Sequence, residues 1–283
     1  MATALVASAV MGASVLLPAA WSSAAPPASP SSAASPSSAA VALTSARPRT
    51  AAVPVRRPRP PAPRTLGALN ALMGRAVQAK GSVHLSHAFV VTDGRVSARD
   101  EGDARWDKGT LSFDVTDSGQ YVAFRTILLP DGIYERSLKE WSDTRWYRFR
   151  PQDQDPFRRD YLAELRQTLD PSRLYPGLSR LAVTRGTPRT VDGVTCWPFT
   201  VRMTLRQLLA TVPPEMRWDA APAASAKTVT TFLVDVHGLP HKVVEFTRDG
   251  HTTITRTSTF TRWGAPVTVT APSGPVTDAA TAG

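Results

Sequence analysis

The sequence predicts an α+β protein: one large antiparallel sheet of about ten or eleven strands, curled by its own twist, with helices gathered on the concave side. Three observations carry that expectation. Apolar residues alternate with period two through most of the stretch from Val83 to Trp263. Asp-Gly, Ser-Gly and Pro turn signals bound the alternating runs at short intervals. Three segments break that rhythm with helical spacing: one before the first strand and two between later ones.

The leading segment, Leu66 to Lys80, carries Leu66, Leu69, Leu72, Met73 and Val77 on one helical face and meets Gly81, a helix stop. The period then changes to two. "VHLSHAFVV" sets Val83, Leu85, His87 and Phe89 against His84, Ser86, Ala88 and Val90. "GTLSFDVTD" sets Leu111, Phe113 and Val115 against Ser112, Asp114 and Thr116. "GQYVAFRTILLP", "DGIYERSL" and "TRWYRFRP" complete a meander of five or six strands. Asp155-Pro156 then opens a helix, "FRRDYLAELRQTLD", which Pro171 and Pro176 close. "LAVTRG", "TCWPFTVRM", "KTVTTFLVDV", "PHKVVEFTR" and "HTTITRTSTFTRW" restore the strands, with a short helix "LRQLLAT" among them. "VHGLPHK" and "RDGHT" read as hairpin turns.

The first sixty or so residues read differently. An apolar stretch, Ala4 to Leu17, leads to a small-residue exit at "SSAAP", the pattern of a secretory signal over residues 1–25, or of a retained anchor. Residues 26–64 are an Ala/Pro/Ser/Arg linker with no aromatic residue and no hydrophobic period, too apolar-poor to offset the entropy of ordering. The folded domain is expected over 65–272, with 273–283 a disordered tail. That length suffices for one substantial core. The net charge of +10 is partly placed in the linker, at Arg47, Arg49, Arg56, Arg57, Arg59 and Arg64. A basic groove with stacking aromatics is absent, so no nucleic-acid partner is expected. A basic tether suits an anionic envelope surface or a membrane-bound partner instead.

Signals for chemistry are poor. No nucleophile elbow, phosphate-binding glycine loop or H-E-x-x-H occurs. His237 and His241 are four apart, but across a Gly-Leu-Pro turn rather than on a helix, so no metal site is expected. The acidic run around Asp100, Glu101, Asp103 and Asp107 lacks calcium-loop spacing and reads as a solvated hairpin tip. Asp235 and Glu245 have nothing beside them to support paired-carboxylate catalysis. Cys196 stands alone, which excludes a disulfide framework and suits a small residue packed in a strand. No enzyme, cofactor or metal is called for. What stands out is apolar content on the inward side of a large sheet, more than a few helices cover, of the kind that binds lipids or other apolar ligands. Alternation nominates Leu85, Phe89, Leu111, Phe113, Val122, Phe124, Trp146, Trp197, Phe199, Val201, Phe232, Val234 and Phe246 as the lining. The readings are an apolar-ligand carrier or sensor, an interaction module of the same fold with a filled core, and, well behind, an envelope hydrolase.

These segments carry a resemblance. The helix running into "KGSVHLSHAF", the "GQYVAFR…LPDGIYERSLKEWSDTRWYRF" run, "GVTCWPFTV", "TTFLVDVHGLPHKVV" and the closing "STFTRWGAPVTVTAPSGPV" together resemble the exported LolA-like lipid-binding family, in its actinobacterial LppX/LprG-like branch. The resemblance spans about Leu66 to Pro272, and the W-G-x-P-V-x-V-x-x-P tail is its most specific element. It implies an incomplete, strongly curved β-barrel lidded by helices, whose interior carries acyl chains of lipids or lipoproteins without catalysis. Related half-barrels also act as envelope stress sensors. It further implies an exported, monomeric, envelope-associated protein with an acyl lipid or other apolar ligand as partner. The lipobox cysteine of that branch is missing here, so no lipid anchor is expected. In the tail, Phe260 and Trp263 are expected to end the last strand in the core. Gly264 and Pro266 would turn the chain, and Val267 to Thr270 would shield a sheet edge.

Overall fold

The computed structural model describes residues 62–91, 95–118, 123–138, 144–150, 170–204, 206–207, 210, 226–249 and 252–278. The helix α1, Leu66–Lys80, begins at Thr65, whose hydroxyl accepts from the Ala68 amide at 3.3 Å, and ends at Gly81 in the left-handed conformation. Six strands follow: β1 Ser82–Val91, β2 Arg95–Asp107, β3 Thr110–Ser118, β4 Ala123–Leu129, β5 Gly132–Ser137 and β6 Trp146–Phe149. After a single 3-10 turn at Pro176–Leu178 come β7 Val183–Arg185, β8 Arg189–Val191, β9 Val194–Thr204, β10 Lys227–Val234, β11 Pro240–Asp249, β12 Thr252–Thr261 and β13 Val276–Asp278. Hydrogen bonding joins them in the order β13-β6-β5-β4-β3-β2-β1-β12-β11-β10-β9-β7, with β8 beside β9, in one large, curved and unclosed sheet. β1 therefore sits in the middle, between β2 and the returning β12.

Registers fix which side chains share a face, because directly paired residues in an antiparallel ladder point the same way. On the inner face the apolar positions Val83, Leu85, Ala104, Trp106, Leu111, Phe113, Leu128 and Ile133 continue into Phe260, Val243, Phe232 and Phe199. They form one core with Leu66, Leu69, Met73 and Val77 of α1. Phe113, Phe199 and Phe232 are wholly buried there. A smaller cluster on the outer face joins Ile127, Tyr134 and Trp146, with Leu129 and Val269 packed against it.

Several expectations need correction. The acidic run is no hairpin tip. It is the body of β2, thirteen residues long and paired on both sides. Gly102 lets that strand lie close to β3, since a Cβ there would meet the Asp114 carbonyl oxygen at 2.1 Å. The sheet has thirteen strands, because β2 and the three-residue strands β8 and β13 join the expected ones. It is not purely antiparallel, since β13 pairs with β6 in parallel. The edge of β6 is covered by Val276–Asp278, past the expected end of the domain at residue 272, while Val269 packs on the outer cluster. The tail does turn at Arg262 and Gly264, both at positive φ, and Trp263 stacks on Trp106 and Phe260 at 6.3 and 6.1 Å. Of the expected helices, that following Asp155-Pro156 lies almost wholly outside the described residues, and "LRQLLAT" is described only at residues 206–207 and 210, the first two being helical.

Candidate functional site

The inner face has two unlike ends. Near α1 it is apolar and closed. Away from α1, polar and charged side chains take over, and two phenylalanines border them. β1 contributes His87 and Phe89, β2 Asp100, β3 Asp117, β4 Phe124 and Thr126, β11 Glu245 and Thr247, and β12 Arg256 and Ser258, all inward by register. β10 adds Thr228 and Thr230, opposite Thr247 and Glu245.

Each group has an identifiable environment. His87 Nδ1 lies 2.9 Å from Ser258 Oγ. Burial, helped by the Arg256 charge, drives its imidazole down to about 4, so it is neutral near pH 7. Asp100 stands directly opposite His87 on one side and Asp117 on the other. Burial, reinforced by Asp117, pushes the Asp100 carboxyl up to about 7. It is 5 % exposed, and its Oδ1 has no hydrogen-bond partner. Glu245 accepts a hydrogen bond from the Tyr175 hydroxyl, which also lies 3.3 Å from Thr230 Oγ1. Burial and the neighbouring Glu245 carboxylate raise the Tyr175 phenol well above its ordinary range. Arg256 Nη1 lies 3.5 Å from Glu245 Oε1, and its guanidinium sits 5.6 Å from the centre of the Phe89 ring. The Phe89 and Phe124 side chains are half-buried, unlike the closed aromatics near α1.

Among the nominated lining residues, Leu85, Leu111, Phe113, Trp197, Phe199, Val201, Phe232 and Val234 fall in the closed apolar core, and Phe89 and Phe124 at the polar end. Two nominations point the other way. Trp146 belongs to the outer cluster, because Phe149 and Tyr147 take the inward positions of β6. Phe246 is 40 % exposed on the outer side, since inward Glu245 precedes it. Val122 lies outside the described residues. The polar band was not nominated, although its signal is present: His87, Asp117 and Arg256 occupy the inward phase of otherwise apolar alternations. Asp100 was hidden by the acidic run around it.

Other candidate groups are spoken for. His241 Nε2 lies 3.2 Å from Asp235 Oδ2, and Asp235 Oδ1 accepts from the His237 and Leu239 amides, which makes this a turn clasp. Burial works against the Asp235 carboxylate, but His241 and the two amides outweigh it and hold its pKa low. Cys196 is buried, and its thiol is pushed up to about 11 by that burial and by Asp235 and Asp192. Among the described residues no group of three His, Cys, Asp or Glu could hold a metal ion, and no helix is long and apolar enough to cross a membrane.

No protein-family model and no curated protein matches the chain. Among solved structures it is similar to the lipoprotein LppX of Mycobacterium tuberculosis, at 16% identity and a TM-score of 0.44 over 72% of this chain and 98% of that one. LprF of Mycobacterium bovis shows 12% identity and the same score of 0.44 over 75% and 100%. An outer membrane lipoprotein-sorting protein domain from Vibrio parahaemolyticus shows 8% identity and a score of 0.27 over 71% and 93%. Likenesses of this size do not assign the chain to a family.

Proposed function

We propose that the protein is an exported, non-enzymatic binder of an acylated lipid or other apolar ligand, held against the inner face of its open sheet. It would serve envelope lipid or lipoprotein transport or sensing. The observation that carries this reading is the far end of the inner face, where half-buried Phe89 and Phe124 border a buried polar band. A closed core has no use for buried polar atoms without partners, whereas a ligand site needs an apolar wall and a few fixed polar groups. The basic linker and the missing lipobox cysteine suit a monomer that works at the envelope surface without lipidation. The helices expected in 157–170 and 205–211 would lid the concave face.

A second reading is an interaction module acting through protein partners. The complete burial of Phe113, Phe199 and Phe232 favours it, because the α1 end of the inner face has no room to spare.

Titration of the delipidated full chain with cis-parinaric acid separates the two. The carrier reading expects a saturable fluorescence rise, weakened about tenfold or more by Phe89→Asp or Phe124→Asp, which put a charge on the acyl path. Phe246→Asp, on the outer face, should leave binding as it was. No fluorescence rise in the unmodified chain would decide for the filled module.

A further inference from the structure

We propose that the outer face of strands β9 to β12 is a docking surface for an anionic lipid bilayer, held by Arg202, Lys227, Lys242 and Arg248 around the exposed ring of Phe246. This face lies opposite the ligand face, so the inference stands whether or not the inner face carries a ligand.

The registers turn these side chains outward and bring them together. Phe246 of β11 is opposite Val229 of β10, and Val229 is opposite Arg202 of β9. In the next row Arg248 stands opposite Lys227, and Lys227 opposite Thr204. Lys242 lies farther along β11, between Leu233 and Thr259. Arg202, Lys227 and Arg248 are exposed, and Phe246 is 40 % exposed. The remaining outward positions of these four strands are uncharged, mostly threonine and valine. Asp192 and Asp235 lie in the turns before β9 and after β10, and Asp235 is taken up by His241 and two amides. Among the described residues none of the four cations has an acidic partner. The outer face of β2 to β4 is built differently, since each arginine there has a carboxylate. Arg99 lies 3.8 Å from Glu101, Arg105 3.7 Å from Asp107 and Arg125 2.6 Å from Asp114. The free edge continues the positive sign. Arg185 of β7 and Arg189 of β8 are exposed beside β9. Arg64, where the basic linker ends, is tied to the same edge, its carbonyl accepting from the Val183 amide at 2.9 Å.

Charge complementarity selects the occupant. A second copy laid face to face would oppose like charges. A nucleic acid strand asks for several stacking rings, and Phe246 is the one ring among these outward positions. A protein partner asks for a broad apolar centre with charge kept to the rim, whereas here the cations surround a single ring. An anionic leaflet asks for a cationic field and a shallow apolar foothold, which is what the face supplies. Unpaired cations suit that task, because none has to leave a carboxylate before it meets a phosphate.

The test is sedimentation of the full chain with vesicles of equal phosphatidylglycerol and phosphatidylcholine, and with vesicles of phosphatidylcholine alone. The expected result is binding to the anionic vesicles only, weakening as salt is raised. Arg202→Glu combined with Arg248→Glu should weaken it about tenfold or more while the melting temperature stays that of the parent. Arg75→Glu combined with Lys108→Glu makes the same change in net charge at exposed sites on α1 and in the β2–β3 turn, and should weaken it far less. Every variant keeps the basic linker, so its contribution is common to all. Both double variants should take up cis-parinaric acid as the parent does, which reads ligand binding separately from docking. Equal losses in the two double variants would assign the attraction to net charge, and no loss in the first would assign it to the linker; either overturns the docking face. Binding of soluble polyglutamate as tight as that of the vesicles, and lost in the same first variant, would assign the face to an acidic protein and overturn the bilayer. A parent chain that ignores anionic vesicles overturns the inference outright.

Discussion

At the scale of single residues, His87 and Asp100 face each other with opposite linkage to folding. His87 is lowered to about 4 from an unfolded value of 6.5, so between those pH values the unfolded chain binds the extra proton and stability rises with pH. Asp100 is raised to about 7 from 3.8, so the folded chain binds the extra proton and stability falls with pH across that window. Each effect is on the order of 3 kcal/mol, and between pH 4 and 6.5 they offset one another. The unmodified protein should therefore show a nearly flat melting temperature there. In Asp100→Asn the melting temperature should climb from pH 4 to 6.5, and in His87→Gln it should drop from pH 4 to 7. Parallel pH profiles for the parent and both variants would show that these groups are not buried together as described. Gly102 is a second decisive position. Gly102→Ala places a methyl against the Asp114 carbonyl, at 2.1 Å before relaxation. The cost should be at least about 2 kcal/mol, read as a drop of roughly 5 °C or more in thermal denaturation. A neutral substitution would mean that β2 and β3 are farther apart than the ladder places them.

At the scale of elements, the tail is a covering strand rather than loose chain. β13 pairs with β6, and Asp278 takes two hydrogen bonds from Arg148, at 2.8 and 3.2 Å, and one from Arg150 at 2.7 Å. Hydrogen bonding and charge from Arg148, followed by Arg150, hold its carboxyl below the usual range. Truncation after Pro272 removes the ladder and the ion pairs together. It should lower the melting temperature by a few degrees and give concentration-dependent aggregation through the bared β6 edge. Asp278→Asn should cost less and stay soluble, because it keeps the ladder. Light scattering and melting of both proteins check this, and a truncated chain as soluble as the parent would contradict the covering role. The elements were largely legible in the sequence, since helix α1 and a strand such as β9 follow unbroken period-3.6 and period-two patterns. β2 was not, because its acidic run mimics a solvated tip and only pairing with β1 and β3 makes it a strand. β13 was not, because three residues carry no period.

At the scale of the whole molecule, alternation alone resolved most of the inner face. The registers place Phe89, Phe113, Phe199 and Phe232 on the inner face, and they reverse the phase that alternation suggests in short β6 and around Glu245. Alternation could not reveal the division of that face into a closed apolar end and a polar end. That division depends on β12 returning beside β1, which brings Arg256 and Ser258 to Phe89 and His87 from 167–171 residues away in sequence, the latter spacing being that of the His87–Ser258 contact. The central claim is that the polar end holds an apolar or amphiphilic ligand. The measurement that tests it most directly is mass spectrometry of an organic-solvent extract of the full chain, purified after secretion from a bacterial host with a comparable envelope. The account predicts a stoichiometric acyl lipid, lost from Phe124→Asp and retained in Phe246→Asp. A chain that carries no lipid, and takes none up from an offered extract of that host's envelope, would contradict it.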